Sequence, residues 1–440
     1  MSNIQTVKNL LENVVGITVK YEPIHRERRF NIFTILRRGH EEVALHSRFI
    51  AELLDPKGKH GHGDEFLKLF LQHIVGEDTG WLEEDDGGAS VEIERPFHAE
   101  KKGRIDILIR TPSRIVVLEN KIYASDQSHQ LDRYYEFAKR ETKRLRLPLE
   151  PIVCYLTLFR KGPQKSTWSE GPDHPALRVP SYKDIRNWLD DCLARAALEP
   201  ALRETIQQYQ LLIDRLRGET MSKDEKQEVV AAIRRSEESV KAAQAIHGAW
   251  DDALAAGILE YWKDLETCCD ELVGSANLRH EMLPPEAIKK MSYSPKRIKN
   301  IVKRARGKEE KNHGVIVPVI KKPYENKTAV ICLYVEAEAA YGQGMIFGIR
   351  LVEMSPDGTY TYTINNEARY NDLAEQITPE GSSRTKHWLA MRQLEKVPNL
   401  TSPYGEEVAG LMLEDKRKEA VDATMEQVKE LHDFVQSRLS

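Results

Sequence analysis

The chain has 440 residues, 40% of them hydrophobic and 30% charged, with a formal net charge of −4. That length supports two or three domains with cores of their own, and the composition is that of a soluble globular protein. No run of eighteen apolar residues exists, so no membrane span is expected, and the net charge alone does not announce a nucleic-acid binder.

Residues Ile4, Val7, Leu11 and Val14 recur at helical spacing, without the basic start and apolar block of a signal peptide. The five cysteines (Cys154, Cys192, Cys268, Cys269, Cys332) include no CxxC pair, so neither a zinc site nor a disulfide framework is expected. A reducing cytoplasm fits this pattern. Residues 25–75 read as helical, broken at Asp55-Pro56 and followed by the loop KGKHGHGD. Acidic, Gly-rich EEDDGG is a loop. Strands are expected at 91–98, 104–110 and 114–122, a helix at 126–145, and an almost wholly apolar, central strand at 151–159. Helices at 181–196 and 199–217 close this half. The order predicts an α/β (α+β) domain, residues 1–218, with a mixed central sheet flanked by helices.

A second α+β domain is expected over residues 219–440. Its helical part spans 223–308, with helices at 223–248 and 250–273. A β-rich part (313–365) carries GVIVPVI, TAVICLYVE, MIFGIRLVE and TYTYTIN, the last two joined by the Ser355-Pro356-Asp357-Gly358 turn. A charged helix at 414–438 ends the chain. Residues 285–330 hold thirteen Lys or Arg against four Glu. Lys296, Arg297, Lys303 and Arg304 in this stretch are either a solvated surface or a phosphate-binding face.

Chemistry concentrates between Gly103 and Tyr134. Strand alternation puts Ile105, Ile107 and Ile109 on one face and Asp106 with Leu108 on the other. On the next strand Glu119 and Lys121 share a face with Val117, opposite Val116, Leu118, Asn120 and Ile122. Asp106, Glu119 and Lys121 can therefore converge. Charges inside apolar strands are costly unless paired or metal-bound. The triplet is thus either a salt bridge at a strand end or part of a metal centre. Phosphodiester hydrolysis needs an attacking hydroxide and relief of charge on the phosphate. Mg²⁺ or Mn²⁺ would take oxygen ligands from Asp106 and Glu119, with the Asn120 carbonyl a third. Lys121 would orient or help deprotonate the water, or stabilise the pentacovalent phosphate.

Two helices add to this. At 100° per residue about His46, Glu42 falls inside the apolar arc of Phe49, Leu53, Ile50 and Val43. The pair Glu42/His46 then either satisfies itself in the core or serves the site. Downstream, Gln127, Gln130, Leu131, Tyr134 and Ala138 share one helix face. Gln127 and Gln130 there are either exposed or hold a nucleic-acid backbone, and Gln130 and Tyr134 join the catalytic candidates. His60, His62 and Asp64 lack a convincing further zinc ligand. Cys268 and Cys269 read as structural, and Gly162-Pro163-Gln164-Lys165-Ser166 lacks the spacing of a phosphate-binding loop.

These residues resemble the PD-(D/E)XK nuclease superfamily, with its restriction-endonuclease-like fold. Asp106 matches the metal-binding aspartate, preceded by Ile105 instead of proline. Glu119-Asn120-Lys121 matches the (D/E)-x-K element, and Gln130 with Tyr134 the Q-x-x-x-Y element of the exonuclease-like branch. Glu42, His46-Ser47, Leu53-Leu54-Asp55-Pro56 and His60-Gly61-His62-Gly63 are similar to one bacterial subfamily. The resemblance covers residues 25–215. It implies a divalent metal, a nucleic-acid substrate (DNA ahead of RNA) and a role in bacterial anti-phage defence. A homodimer would suit double-strand cleavage, and the C-terminal domain would suit a regulatory partner. The competing reading is a non-catalytic nucleic-acid-binding or sensor protein on a nuclease-like scaffold.

Overall fold

The computed structural model describes residues 3–27, 29–37, 39, 41–76, 88–98, 102–122, 126–275, 277–303, 312–324, 327–338, 344–361, 370–385, 387–400 and 405–439. The chain forms two compact units, one of residues 12–232 and one of residues 1–11 with 233–440.

In the first unit, α1 (Asn3–Glu27, shared with the second unit at its start) and α2 (Ile32–Leu36) precede a wide π turn at Glu42–Ser47. That turn runs directly into α3 (Arg48–Leu54), and α4 (Glu65–Phe70) into a second π turn at Leu71–Val75. The sheet follows as β1 (Ser90–His98), β2 (Lys102–Arg110), β3 (Ile115–Lys121), β4 (Ile152–Thr157) and the short β5 (Leu177–Arg178), in that spatial order. β1, β2 and β3 pair antiparallel, whereas β3, β4 and β5 pair parallel. Between β3 and β4 lies α5 (Gln130–Leu145), the long crossover that a parallel pair requires. α6 (Tyr182–Arg195), α7 (Pro200–Arg217) and α8 (Lys223–Ile233) follow.

This mixed sheet is covered on both faces, the arrangement of a restriction-endonuclease-like fold. Val116 and Leu118 of β3, with Ile122 just past its end, pack with Ile107, Ile109, Leu53, Phe66, Trp188 and Tyr209 on one side. Ile115 and Val117 pack with Leu108, Leu131 and Tyr134 on the other. Both central strands β3 and β4 are buried along their whole length, so their near-continuous apolar sequences are those of strands with two covered faces.

Alternation fails at one place. Ile105 packs with Leu108 and Val117, not with Ile107 and Ile109. The β1–β2 ladder skips the Glu94/Asp106 position, where Glu94 has φ +51. A residue in the left-handed region breaks the pleat, and the strict two-residue period with it.

The second unit contains α9 (Glu237–Leu272), one helix of 36 residues, where two with a break near 249 were expected. The actual interruption is at 234–236, where the Ser236 side chain accepts from the Ser239 amide and caps α9. Three short helices follow: α10 (Leu278–Met282), α11 (Pro285–Met291) and α12 (Pro295–Val302). The antiparallel sheet has the order β10-β8-β7-β6, from β6 (Asn312–Tyr324), β7 (Lys327–Glu338), β8 (Gly344–Met354) and β10 (Ala390–Gln393). β9 (Tyr360–Thr361) joins β8 through the expected Ser355–Gly358 turn, and the rest of TYTYTIN lies outside the described residues. One face packs on α9, α12, α13 (Asn371–Ile377), α14 (Glu406–Gly410) and α15 (Glu414–Leu439). Leu283, Ile288 and Met291 cover part of the other. No helix among the described residues is long and apolar enough to cross a membrane.

Candidate active site

The site is built around the far end of β3. The ladder with β2 stops at Ile107↔Leu118, and β3 runs on through Glu119, Asn120 and Lys121. The backbone amides of Asn120 and Ile122 therefore have no strand partner on that side. Two carboxylates replace it. Asp106 Oδ2 accepts from the Asn120 N–H at 2.8 Å, and Glu42 Oε1 accepts from the Ile122 N–H at 2.6 Å. Amides two residues apart on a strand are separated by about 6.6 Å, so the two carboxylates are spaced along the strand end by the backbone itself.

Glu119 and Lys121 project from β3 towards α5, as alternation predicts. Lys121 Nζ lies 2.8 Å from Glu119 Oε1. Gln130 Nε2 donates to the same oxygen at 2.8 Å and to the Tyr134 hydroxyl at 2.9 Å, and Tyr134 in turn donates to the Arg104 carbonyl at 2.6 Å. The amide of Gln130 is oriented by its neighbour, because its oxygen would be repelled by the carboxylate. In this cluster two buried oxygens, Glu119 Oε2 and Gln130 Oε1, have no hydrogen-bond partner among the described residues. Buried acceptors are rarely left so, and each such case asks for an explanation.

Charge sharpens the question. Glu119 is 1% exposed, Asp106 9% and Lys121 8%. Burial pushes the Asp106 carboxyl well above the usual carboxylate range, and the negative charge of Glu119 adds to this; the Asn120 amide and Lys121 offset only part. Burial raises the Glu119 carboxyl as well, against the pull of Lys121. Burial disfavours the Lys121 ammonium, but Glu119, Glu42 and Asp106 together outweigh it and hold its proton more tightly than usual. Three acids thus face one ammonium.

A divalent cation fits this donor set. It would relieve the excess negative charge and give Glu119 Oε2 and Gln130 Oε1 a partner, directly or through a bound water. Among the described residues, however, no three His, Cys, Asp or Glu side chains close around a single point. The arrangement matches a hard ion held by one or two carboxylates that keeps most of its waters, not an all-protein cage.

Residues 30–210 match the family model of the PD-(D/E)XK nuclease superfamily. Over this stretch the chain is similar to that superfamily. Neither the curated proteins nor the solved structures give a match. Superfamily members are generally nucleases, which makes nucleic acid the expected substrate class of this nuclease-like unit.

Several sequence-based expectations change. The α-helical spacing that pairs Glu42 with His46 does not hold. Residues 42–47 form a π turn, so the 100° angles do not apply, and Val43, assigned to the apolar arc, is 37% exposed. Glu42 reaches β3, whereas His46 is fully buried. Its Nε2–H donates to the Gly39 carbonyl at 2.7 Å, which leaves Nδ1 to accept from the Tyr209 hydroxyl at 2.8 Å. α5 begins at Gln130, not 126, because His129 has φ +52. Gln127 consequently precedes the helix and is exposed, off the face of Gln130 and Tyr134.

In the second unit, Arg297 donates through Nη1 to the carbonyls of Lys290 and Ser292, closing the end of α11. Lys296 and Lys303 are exposed, and Arg304 lies outside the described residues. His60 Nε2 is engaged by the Asp55 carbonyl, Asp64 pairs with Lys68, and all five cysteines are free.

The sequence reading missed the segment after β4. Thr157 lies beside Lys121 in the β3–β4 register, and its Oγ1 accepts from the Lys161 amide at 2.8 Å. Nine residues on, the carbonyl of Ser166 accepts from the His129 amide, and that of Thr167 from the Leu131 amide. The segment is thus pinned next to Lys121 and at the start of α5, with Lys161 and Lys165 exposed between the pins. Its signal was Gly162-Pro163 between two lysines, visible only once the rejected phosphate-loop spacing is set aside.

Proposed function

We propose that the chain is a metal-dependent nuclease that hydrolyses phosphodiester bonds, with DNA ahead of RNA and Mg²⁺ (or Mn²⁺) as the ion. The observation that carries this is the partnerless, buried Glu119 Oε2 within a cluster of carboxylates in excess over Lys121. Asp106 and Glu119 would hold the ion, with Glu42 and the Asn120 carbonyl beside them. When bound, the ion supplies Lewis-acid stabilisation of the phosphate and lowers the pKa of a coordinated water.

The chain's own groups do the rest. Lys121 holds its proton tightly, so it acts as a fixed positive charge facing the negative charge that builds on the phosphate, not as the base. Gln130, braced by Tyr134, fixes the rotamer of Glu119 and presents its own oxygen towards the water. The exposed Gln127, Lys161 and Lys165 form a rim suited to a phosphate backbone, with a salt-dependent contribution to binding.

The test is incubation of pure protein with DNA and with RNA, in Mg²⁺ or in EDTA. Cleavage that needs the metal and disappears in Asp106→Ala supports the reading. Equal cleavage by Asp106→Ala and wild type refutes the assignment. Steeply salt-dependent binding with no cleavage under any metal would favour the non-catalytic alternative. The defence role is tested by phage plating on cells that express wild type or Asp106→Ala.

A further inference from the structure

Asn120 is the middle residue of Glu119-Asn120-Lys121, a position that needs only to be a spacer. On its face of β3 the neighbours are apolar: Val116, Leu118 and Ile122. Asn120 interrupts that row while only 1% exposed. Its Oδ1 accepts from the Tyr182 hydroxyl at 2.8 Å. Its Nδ2 donates to the Glu42 carbonyl at 3.1 Å and to Ser47 Oγ at 3.2 Å. Ser47 Oγ donates to the same Glu42 carbonyl at 2.8 Å, spanning the π turn. Ser47 is 1% exposed and Tyr182 fully buried. Tyr182 opens α6, whose start is fixed by a capping box between Ser181 and Asp184.

An aliphatic residue at 120 would pack equally well and need no partners. Three satisfied buried polar groups add only about 1 kcal/mol each to stability, but they fix position to a fraction of an ångström. What they fix is specific. The Asn120 side chain holds the turn that delivers the Glu42 carboxylate, and the Asn120 main-chain N–H holds the Asp106 carboxylate. π turns inside helices occur disproportionately at functional sites. Here the Glu42 carbonyl of that turn is gripped from the strand by Asn120.

We propose that Ser47, Asn120 and Tyr182 form a positioning device that sets Glu42 and Asp106 for the divalent ion. The inference rests on the nuclease reading above. None of the three side chains touches the reacting atoms. They act on the ion's affinity and on the chemical step through the two carboxylates.

The experiment is calorimetric titration of the full-length protein with Mn²⁺ alone, alongside steady-state cleavage kinetics and thermal melts. Tyr182→Phe and Ser47→Ala are compared with Trp188→Phe, which removes the hydrogen bond to the Phe66 carbonyl in the same core and none to Ser47, Asn120 or Tyr182. The first two are expected to weaken Mn²⁺ binding and lower kcat roughly 10-fold, the usual range for groups that orient metal ligands, with KM for nucleic acid unchanged. Trp188→Phe is expected to lower the melting temperature at least as much and leave Mn²⁺ affinity at the wild-type value. The proposal is overturned if Tyr182→Phe and Ser47→Ala bind Mn²⁺ as wild type does, or if Trp188→Phe weakens binding equally. A wild-type protein that neither binds Mn²⁺ nor cleaves overturns the nuclease reading itself and this device with it.

Discussion

The two units bury charge in opposite ways. In the second, buried charges are matched. Arg350 bonds Glu336 at 2.8 Å and lies over the rings of Tyr334 and Trp388, 4.7 and 4.3 Å from their centroids. Glu353 is held by Lys327 and Tyr370, and Arg279 sits between Glu266 and Asp270. Among the described residues, buried nitrogens such as Arg350 Nε and Trp262 Nε1 lack a hydrogen bond here. In the first unit, three acids crowd one lysine at the end of β3, and a carboxylate oxygen is left with no donor. Matched buried charge is a device for holding a sheet in one arrangement. Unmatched buried negative charge is a binding site for something positive.

The sharpest way to break this comparison is to remove the unmatched charges. Glu119→Gln and Lys121→Ala are each expected to lower kcat by roughly 10³-fold, while the protein stays folded by circular dichroism. Retained cleavage would place the chemistry elsewhere. The matched pair should behave in reverse. Arg350→Met removes the guanidinium that neutralises buried Glu336 and should cost about 3–5 kcal/mol of stability, read by denaturant unfolding, with kcat per folded molecule unchanged. The double change Arg350→Met with Glu336→Leu should recover most of the loss.

Smaller effects refine the picture. Gln130→Leu takes one donor from Glu119 Oε1, and kcat should fall about 10-fold, the equivalent of one charge-assisted hydrogen bond. Tyr134→Phe should cost less, since Gln130 keeps its bond to Glu119.

The smallest effect is on stability against pH. The Asp106 carboxyl is raised in the folded chain, so the unfolded chain binds fewer protons between the two values and stability falls as pH rises through that window. Asp106→Asn removes this penalty. In EDTA the variant should melt higher than wild type at pH 8, and the gap should close as pH falls towards the ordinary Asp value. A constant gap would mean that Asp106 carries no such strain.

Much of the site was legible in the sequence, because a strand buried on both faces obeys its two-residue period closely. That period put Glu119 and Lys121 on one side of β3 and Asn120 on the other, as found. It failed at Ile105, where the left-handed Glu94 breaks the pairing. Glu42 was singled out as a carboxylate within an apolar arc, but by helix angles that the π turn does not follow. The link to β3 depends on which backbone amides the ladder leaves over, and no local pattern records that. The Asn120–Ser47–Tyr182 cluster joins residues 73 and 62 positions apart, and tertiary hydrogen bonding over such spans has no periodic signature. Gln127 was misplaced because a left-handed His129, which nothing in the residue pattern demands, delays the helix.

The most direct test of the account is a crystal of the full-length protein soaked in Mn²⁺ and measured for anomalous scattering. The account predicts a peak at the end of β3, bonded to a carboxylate oxygen of Asp106 and to Glu119 Oε2. A fully soaked crystal with no peak there, or with Mn²⁺ bound only at other acidic groups, would contradict it.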